Sequence, residues 1–304
     1  MDWNDPTSNF AVIAMPRGIK QSGGNYKNAL TWTSKYGSVF TSMYGAASTD
    51  GLNEAGLAAN ALYFAEADYG DYSTSDKPLI SIGAWTQYFL DNFATVKEVV
   101  DAMKDPAFVI CAAPLANGRA ATAHVSLSDE SGDNAILEYL EGELIIHHGK
   151  EFTVMTNSPT FDEQLAINKY WKTVGGNRML PGTINAADRF VRVDYLLDST
   201  PKFEDGKDAT AAAMSIMRSI GVPLGMADPD HPNISATLWR TLADHSNKTY
   251  FFESAHQPGL FWVNLDELDL SKGAQIVGTI VDGEGANLGN VSSQLKPMEM
   301  IHWM

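Results

Sequence analysis

Short runs in which apolar residues dominate or alternate with polar ones recur through the first part of the chain, a pattern typical of β-strands. They cover residues 10–15, 29–34, 38–44 and 56–64. Polar and glycine-containing segments separate these runs, and residues 49–54 are predicted to form a turn before the fourth run. The first part of the chain is therefore predicted to be a set of strands joined by short turns.

The first helical pattern lies at residues 81–93, where apolar residues recur at steps of three and four. The stripe that runs from Trp85 to Phe93 predicts a helix face packed in the core rather than a ligand pocket. Thr95 has the residue type of an N-cap, and it predicts the start of a second helix over residues 96–103.

The second part of the chain combines both periodicities. Predicted strands cover residues 107–112, 124–128, 135–140, 143–148, 153–156, 238–244, 249–254, 260–264 and 274–281, and predicted helices cover residues 161–173, 186–197 and 209–220. No internal repeat or change of composition marks a linker. The pattern predicts a single α+β domain over residues 1–304, in which antiparallel sheets are covered by helices.

Charge and hydropathy narrow the possible functions. The chain has 21 Lys and Arg against 37 Asp and Glu, a formal net charge of −16, which disfavours binding to nucleic acid. No apolar run approaches the roughly 18 residues that a membrane span requires, so no membrane association is expected. The sequence also lacks the G-x-S-x-G, H-E-x-x-H and G-x-x-x-x-G-K-[ST] motifs of three common enzyme classes.

Cysteine usage restricts the chemistry further. Cys111 is the sole cysteine, which excludes an intrachain disulfide and a cysteine-based metal cluster. It lies within an apolar run, and a cysteine in such a run is usually a buried, unreactive side chain.

Several longer runs resemble the choloylglycine hydrolase family of N-terminal-nucleophile hydrolases, which includes bile salt hydrolases and penicillin V acylases. The resemblance extends over essentially the whole chain and is greatest to penicillin V acylases of Gram-negative type. It rests on Asp2-Trp3 and on residues 16–18, 32–39, 90–96 and 154–162. It implies a four-layer αββα sandwich in which two antiparallel sheets lie between layers of helices.

The resemblance also implies a nucleophile that the printed chain does not contain. The family uses an N-terminal cysteine, exposed by processing, which precedes an R-x-M-D-W-like segment, and Met1 matches the Met of that segment. We therefore expect a truncated start, so that residues 1–304 lack the N-terminal strand with this cysteine. The alternative is a pseudoenzyme of the same fold that binds a small molecule without cleaving it.

Four residues match functional positions of the family. Asp2 matches the carboxylate that holds the N-terminal amine or the thiol, and Asn157 matches the side-chain amide of the oxyanion hole. Tyr63 matches the residue whose backbone N–H is the second oxyanion donor, and Arg189 matches the arginine near the nucleophile. Without the resemblance, Asp2 would be read as a surface acid and Asn157 as a turn former. Tyr63 would be a strand-end aromatic, and Arg189 the partner of a helix-surface ion pair.

The reaction implied is hydrolysis of a linear amide through an acyl-enzyme, with neither a cofactor nor a metal. Trp3 and Tyr63 would line the acyl pocket, and aromatic walls suit a phenoxyacetyl or a fatty acyl group. Candidate substrates are penicillin V, an N-acyl homoserine lactone and a conjugated bile salt, in that order. A different N-terminal-nucleophile amidase, related to acid ceramidase, is a further alternative. The resemblance also suggests a homo-oligomer, a tetramer, and a periplasmic location, although no signal peptide is visible.

Overall fold

The computed structural model describes residues 1–3, 8–112, 121–175, 178–227, 235–257, 259–281 and 287–304. The helices are α1 Ile82–Asn92, α2 Val96–Met103, α3 Phe161–Val174, α4 Ala186–Ser199 and α5 Gly206–Ser219. The strands are β1 Phe10–Met15, β2 Lys20–Ser22, β3 Thr31–Thr33, β4 Ser38–Met43, β5 Ala47–Asn53, β6 Ala58–Tyr63, β7 Leu79–Ser81, β8 Val109–Cys111, β9 Ala123–Ser128, β10 Asn134–Leu140, β11 Glu143–His148, β12 Trp239–Asp244, β13 Thr249–Ser254, β14 Leu260–Asn264, β15 Val277–Ile280, β16 Gly289–Asn290 and β17 Lys296–Pro297.

Nine strands form a large antiparallel sheet in the order β11-β10-β9-β6-β5-β4-β1-β15-β17. Helices α1 and α2 cover one of its faces, and their apolar side chains pack against alternate residues of the strands. Trp85 and Phe89 of α1 are fully buried there, as their helical spacing predicts. The predicted N-cap of α2 is also confirmed, because the Thr95 side chain accepts a hydrogen bond from the Glu98 amide.

The opposite face of the large sheet packs on a second sheet of order β12-β13-β14-β16. Side chains such as Val12, Leu52, Phe252 and Val263 form the core between the two sheets. Helices α3, α4 and α5 complete the outer layer, and they bury Phe161, Phe190 and Ile216 around Ile136 of β10. The predicted four-layer αββα architecture and the α+β class are therefore confirmed.

The predicted turn over residues 49–54 is wrong, because β5 runs through this segment and is buried along its whole length. Most polar side chains of β5 have partners, either on the adjacent strand β4 or in the layers above and below the sheet. Thr49 donates to the carbonyl oxygen of Thr41 over 3.0 Å, and the Asn53 amide donates to the carbonyl oxygens of Leu90 and Phe93. A polar strand is stable inside the protein when these groups are satisfied.

Two further predictions change in detail. Residues 153–156 do not form a strand and instead lead in an irregular conformation to α3. The predicted strand at residues 29–34 shortens to β3, which pairs with β2 in a two-stranded sheet apart from the large one. Isolated pairs of this kind depend on tertiary packing, which the local pattern does not encode.

The first three residues run antiparallel to the segment that leads into β12. Asp2 is the bridge partner of Thr237, and the Met1 amine donates to the carbonyl oxygen of Trp239 over 2.7 Å. Among the described residues, β12 is the outer strand of its sheet, with β13 on its other side. If this antiparallel register continued to residues ahead of Met1, those residues would lie along the outer edge of β12.

Asp91 on α1 gives a prediction about stability. Its carboxylate accepts hydrogen bonds from Trp32 and Gln87, yet burial raises the pKa of Asp91 to about 7. A folded-state pKa above the unfolded value of about 3.9 means that the stabilisation is complete below about pH 4 and is lost as the pH rises through 7. We expect the free energy of unfolding to fall by roughly 2–4 kcal/mol between about pH 4 and pH 8.

Urea denaturation at pH 5, 6, 7 and 8 measures this effect, and Asp91→Asn is expected to flatten the curve. Asp101→Asn is the control, because hydrogen bonds from Lys104 and Lys97 lower the pKa of that exposed carboxyl to about 2, outside the tested range. An equal fall in wild type and Asp91→Asn would contradict the assignment.

Candidate active site

Arg189 is the centre of a polar cluster, here called the Arg189 cluster, that also contains Asp2, Asn157 and the main chain of Tyr63. It lies in the first turn of α4, where its Nε donates to the carbonyl oxygen of Ile184 over 3.0 Å. Its side chain is 14% exposed, and burial lowers the pKa of Arg189 while Asp2 opposes that shift. The guanidinium nevertheless remains charged at neutral pH, because its pKa starts above about 12.

Asp2 is held between a hydroxyl group and the guanidinium. Thr237 donates its hydroxyl hydrogen to Oδ1 of Asp2 over 2.5 Å, and Oδ2 lies 3.3 Å from Nη1 of Arg189. The bridge between the chain start and the segment before β12 places the carboxylate here. Asp2 is thus a fixed, partly buried anion that balances the charge of Arg189.

Asn157 follows the irregular segment after β11 and has its amide orientation set by its two partners. Nη2 of Arg189 donates to Oδ1 of Asn157 over 2.8 Å, and Nδ2 of Asn157 donates to the carbonyl oxygen of Tyr63 over 2.6 Å. Arginine can only donate, so the Asn157 oxygen must face it. One of the two Nδ2 hydrogens is used by Tyr63, and the second is available to a ligand.

Tyr63 ends β6, and the register of that strand determines where its amide points. The Phe64 amide donates a hydrogen bond to the carbonyl oxygen of Thr122, which precedes β9. Hydrogen-bonded and non-hydrogen-bonded pairs alternate along an antiparallel ladder, so the next pair, Tyr63 and Ala123, is not hydrogen-bonded. The N–H and C=O of Tyr63 both point to the β5 side, where the ladder with β5 ends at Asn60. The Tyr63 N–H therefore lies on the same side as the Asn157 amide, and both could donate to one oxygen atom.

An open cavity adjoins the cluster and holds about 590 Å³ of space, its mouth included. Trp3 and Tyr63 line it, with ring centroids 6.5 Å apart in an edge-to-face arrangement. Met43, Ile82 and Met304 add apolar surface. Asp2, Asn157 and Arg189 lie beside the cavity rather than in its wall, and Tyr63 connects the two. The cavity suits an apolar group, and the cluster suits a polar group at its end.

The structure thus brings together all five residues that the sequence singled out. Arg189 does not form a helix-surface ion pair with either of the two nearby acids, since Asp188 bonds to Thr183 and Asp194 pairs with Lys172. These acids are on other faces of α4. The guanidinium is therefore directed to the chain start and to the loop before α3.

Several contributors to the site were missed. Thr237 supports Asp2, and the hydroxyl of Tyr44 accepts a hydrogen bond from Trp3 over 2.8 Å. Met43, Ile82 and Met304 line the cavity although they are far apart in the chain. Only Ile82 carried a signal, because it belongs to the helical pattern of residues 81–93, and that pattern predicted a helix rather than a site. The others are defined by tertiary contacts alone.

In the described part of the chain, no group of three or more His, Cys, Asp or Glu side chains is arranged to hold a metal ion. No helix in these ranges is long and apolar enough to cross a membrane.

Comparison with known proteins places the site in context. A penicillin V acylase of Pectobacterium atrosepticum is 48% identical over 290 residues, which cover 89% of this chain and 77% of that protein. A bile salt hydrolase/transferase of Clostridium perfringens is 30% identical over 224 residues, or 64% of this chain and 65% of that protein.

Solved structures agree with these relatives. A penicillin V acylase from Agrobacterium tumefaciens superposes with a TM-score of 0.90 at 46% identity, covering 100% of this chain and 94% of that chain. A conjugated bile acid hydrolase from Clostridium perfringens has a TM-score of 0.76 at 22% identity, covering 95% and 93% of the two chains, and shares the fold. The model of linear amide C–N hydrolases, choloylglycine hydrolase family, matches residues 1–283. This chain therefore belongs to the choloylglycine hydrolase family of linear amide C–N hydrolases.

Proposed function

We propose that this chain forms the body of an enzyme that cleaves the linear amide of an acylated amine, with penicillin V as its first candidate substrate. The support comes from one juxtaposition: the Asn157 amide and the Tyr63 N–H face the same side at the end of an aromatic, apolar cavity. Two N–H donors placed together stabilise the oxyanion of a tetrahedral intermediate. The cavity walls of Trp3 and Tyr63 accept the flat or extended acyl group.

We place the nucleophile, a cysteine at a processed N-terminus, ahead of Met1. The outer edge of β12 supports this placement, because a preceding strand in the register of Met1 to Trp3 would cover it. Burial lowers the pKa of the Met1 amine, and an uncharged peptide N–H in its place would donate the same bond to Trp239 at no such cost.

The reaction then proceeds in two steps. The thiol gives its proton to the α-amine of the same residue, and sulfur bonds to the amide carbon while the C=O π pair moves onto oxygen. The oxyanion accepts hydrogen bonds from Asn157 and Tyr63. When it collapses, the C–N bond breaks and the amine leaves with the proton. Water next attacks the thioester, releases the acid and restores the thiol.

Arg189 and Asp2 prepare the site rather than bond to carbon. Arg189 fixes the oxygen of Asn157, so that an N–H and not a lone pair faces the substrate. Its positive charge also favours a thiolate over a thiol. Asp2 balances that charge and offers a carboxylate to the α-ammonium group of the nucleophile.

A product analysis tests the proposal. The reading frame upstream of Met1 is extended to the cysteine, and the processed protein is incubated with penicillin V, an N-acyl homoserine lactone, a conjugated bile salt and a ceramide. We expect mass spectrometry to show cleavage of the side-chain amide of penicillin V with the β-lactam ring intact.

Cys111 does not replace a nucleophile at the cluster, because it lies in β8, buried beside Tyr26.

Two outcomes would favour other functions. If the reading frame upstream of Met1 encodes no cysteine, and the protein binds one of these compounds without cleaving it, the chain is a binding protein. Preferential cleavage of the ceramide would indicate another amidase class.

A further inference from the structure

His124 and Glu138 form a buried pair next to the Arg189 cluster, to which neither belongs. His124 is on β9 and Glu138 on β10, and both side chains are almost completely excluded from solvent. Nδ1 of His124 lies 2.8 Å from Oε1 of Glu138, and Nε2 lies 2.9 Å from the carbonyl oxygen of Thr156. Burying two titratable groups lowers the stability of the folded protein unless their hydrogen bonds compensate. We therefore ask what these hydrogen bonds hold in place.

The partners determine which nitrogen carries a proton. A carbonyl oxygen can only accept, so Nε2 of His124 must donate to Thr156. Glu138 uses its second oxygen to accept from the Phe161 amide over 3.0 Å at the start of α3. The pair therefore connects two points, Thr156 and Phe161, on either side of Asn157.

The same imidazole also contacts the strand that ends at Tyr63. His124 and Leu62 are register partners, and the ring of Phe64 stacks on the imidazole with centroids 4.5 Å apart. Leu62 and Phe64 flank Tyr63, just as Thr156 precedes Asn157. One side chain thus touches the immediate neighbours of both proposed oxyanion donors.

We propose that His124 is a positioning residue that sets the distance between the Asn157 amide and the Tyr63 N–H. This inference rests on the proposed role of those two groups as oxyanion donors. Gln164 supports the same loop from α3, since it donates to the carbonyl oxygens of Asn157 and Pro159. His124 differs from Gln164 because it joins the loop to β6, the strand that carries the second donor.

Two matched substitutions test the proposal in the N-terminally extended enzyme. The side-chain amide of asparagine takes the place of Nδ1 of histidine, so His124→Asn keeps a hydrogen-bond partner for Glu138 but does not reach Thr156. Glutamine extends to the position of Nε2, so His124→Gln keeps the bond to Thr156. Both variants lose the stack on Phe64, which makes the Thr156 contact the main difference between them.

We expect kcat for penicillin V to fall on the order of 100-fold in His124→Asn, with KM little changed, and clearly less in His124→Gln. His245→Asn is the control, because it likewise removes a hydrogen bond made by Nε2 of a histidine, here to the Ser128 hydroxyl, but outside the cluster. It is expected to lower the melting temperature without lowering kcat. Equal kcat values in the two His124 variants would overturn the proposal.

Hydrogen exchange gives a readout that does not depend on turnover. We expect amides of residues 153–164 to exchange faster in His124→Asn than in wild type or His124→Gln, and to be unchanged in His245→Asn. If wild type cleaves none of the substrates, the proposed function fails, and exchange still decides whether His124 holds this loop. Unchanged exchange in His124→Asn would overturn the positioning role even in an active enzyme.

Discussion

Hydrolysis of penicillin V is expected to disappear when the cysteine that we place ahead of Met1 is replaced by alanine. Without a thiol there is no acyl-enzyme, and water alone would have to attack a stable amide, so kcat should fall by at least about 10³-fold. Product release measured by liquid chromatography over long incubations checks this loss. The chain that begins at Met1 is expected to be equally inactive.

The sole cysteine of the printed chain provides the matched control. Cys111 is buried in β8, and Cys111→Ala is expected to retain kcat. Labelling with iodoacetamide before digestion should modify the N-terminal thiol in wild type and leave Cys111 unmodified, because a buried thiol is inaccessible. Full activity of the N-terminal Cys→Ala enzyme would refute the proposed nucleophile.

Removal of the Asn157 amide is expected to have the next largest effect. Asn157→Ala deletes one oxyanion donor, which typically lowers kcat by about 10²–10³-fold, with little change in KM. It also leaves Nη2 of Arg189 and the carbonyl oxygen of Tyr63 without this partner. A buried group that loses its hydrogen bond costs about 1–3 kcal/mol, so thermal denaturation should show a lower melting temperature as well.

A second buried asparagine separates catalysis from stability. Asn168 on α3 is also buried, and Asn168→Ala is expected to change stability but not kcat. Steady-state kinetics and melting curves on the two variants therefore give different patterns. If Asn157→Ala lowered the melting temperature and kept kcat within a few-fold of wild type, Asn157 would be a structural residue only.

Much of the fold could be predicted because the residue pattern within many helices and strands already favours the structure that they adopt. The stripe on α1 and the N-cap at Thr95 follow from spacing and residue type, and the structure confirms both. Segment β5 was mispredicted because several of its polar residues are satisfied by partners in other layers, such as Tyr250 of β13 for Asp50 and Leu90 of α1 for Asn53. A local pattern cannot show that a polar side chain will find such a partner.

The residues of the site also fall into two groups, those that the sequence indicated and those that only the structure revealed. The family resemblance singled out Asp2, Trp3, Tyr63, Asn157 and Arg189 in the sequence, whereas Thr237, Tyr44 and His124 had no local signal. Their contribution arises from strand register and from side chains that meet across layers. Residue types alone could not show that Arg189 bonds to Asn157 rather than to an acid on its own helix.

The sequence by itself determined the periodicity of most helices and strands, the strong negative charge, the single cysteine and the family to which the chain belongs. These properties depend on local spacing and on residue identity. Only the tertiary structure decided that Arg189 orients the Asn157 amide and that the Tyr63 N–H points beyond the end of the β5 ladder. It also decided that, within the described ranges, β12 is the outer strand of its sheet. Hydrogen-bond direction and sheet register are set by contacts between segments far apart in the chain, and no single segment encodes them.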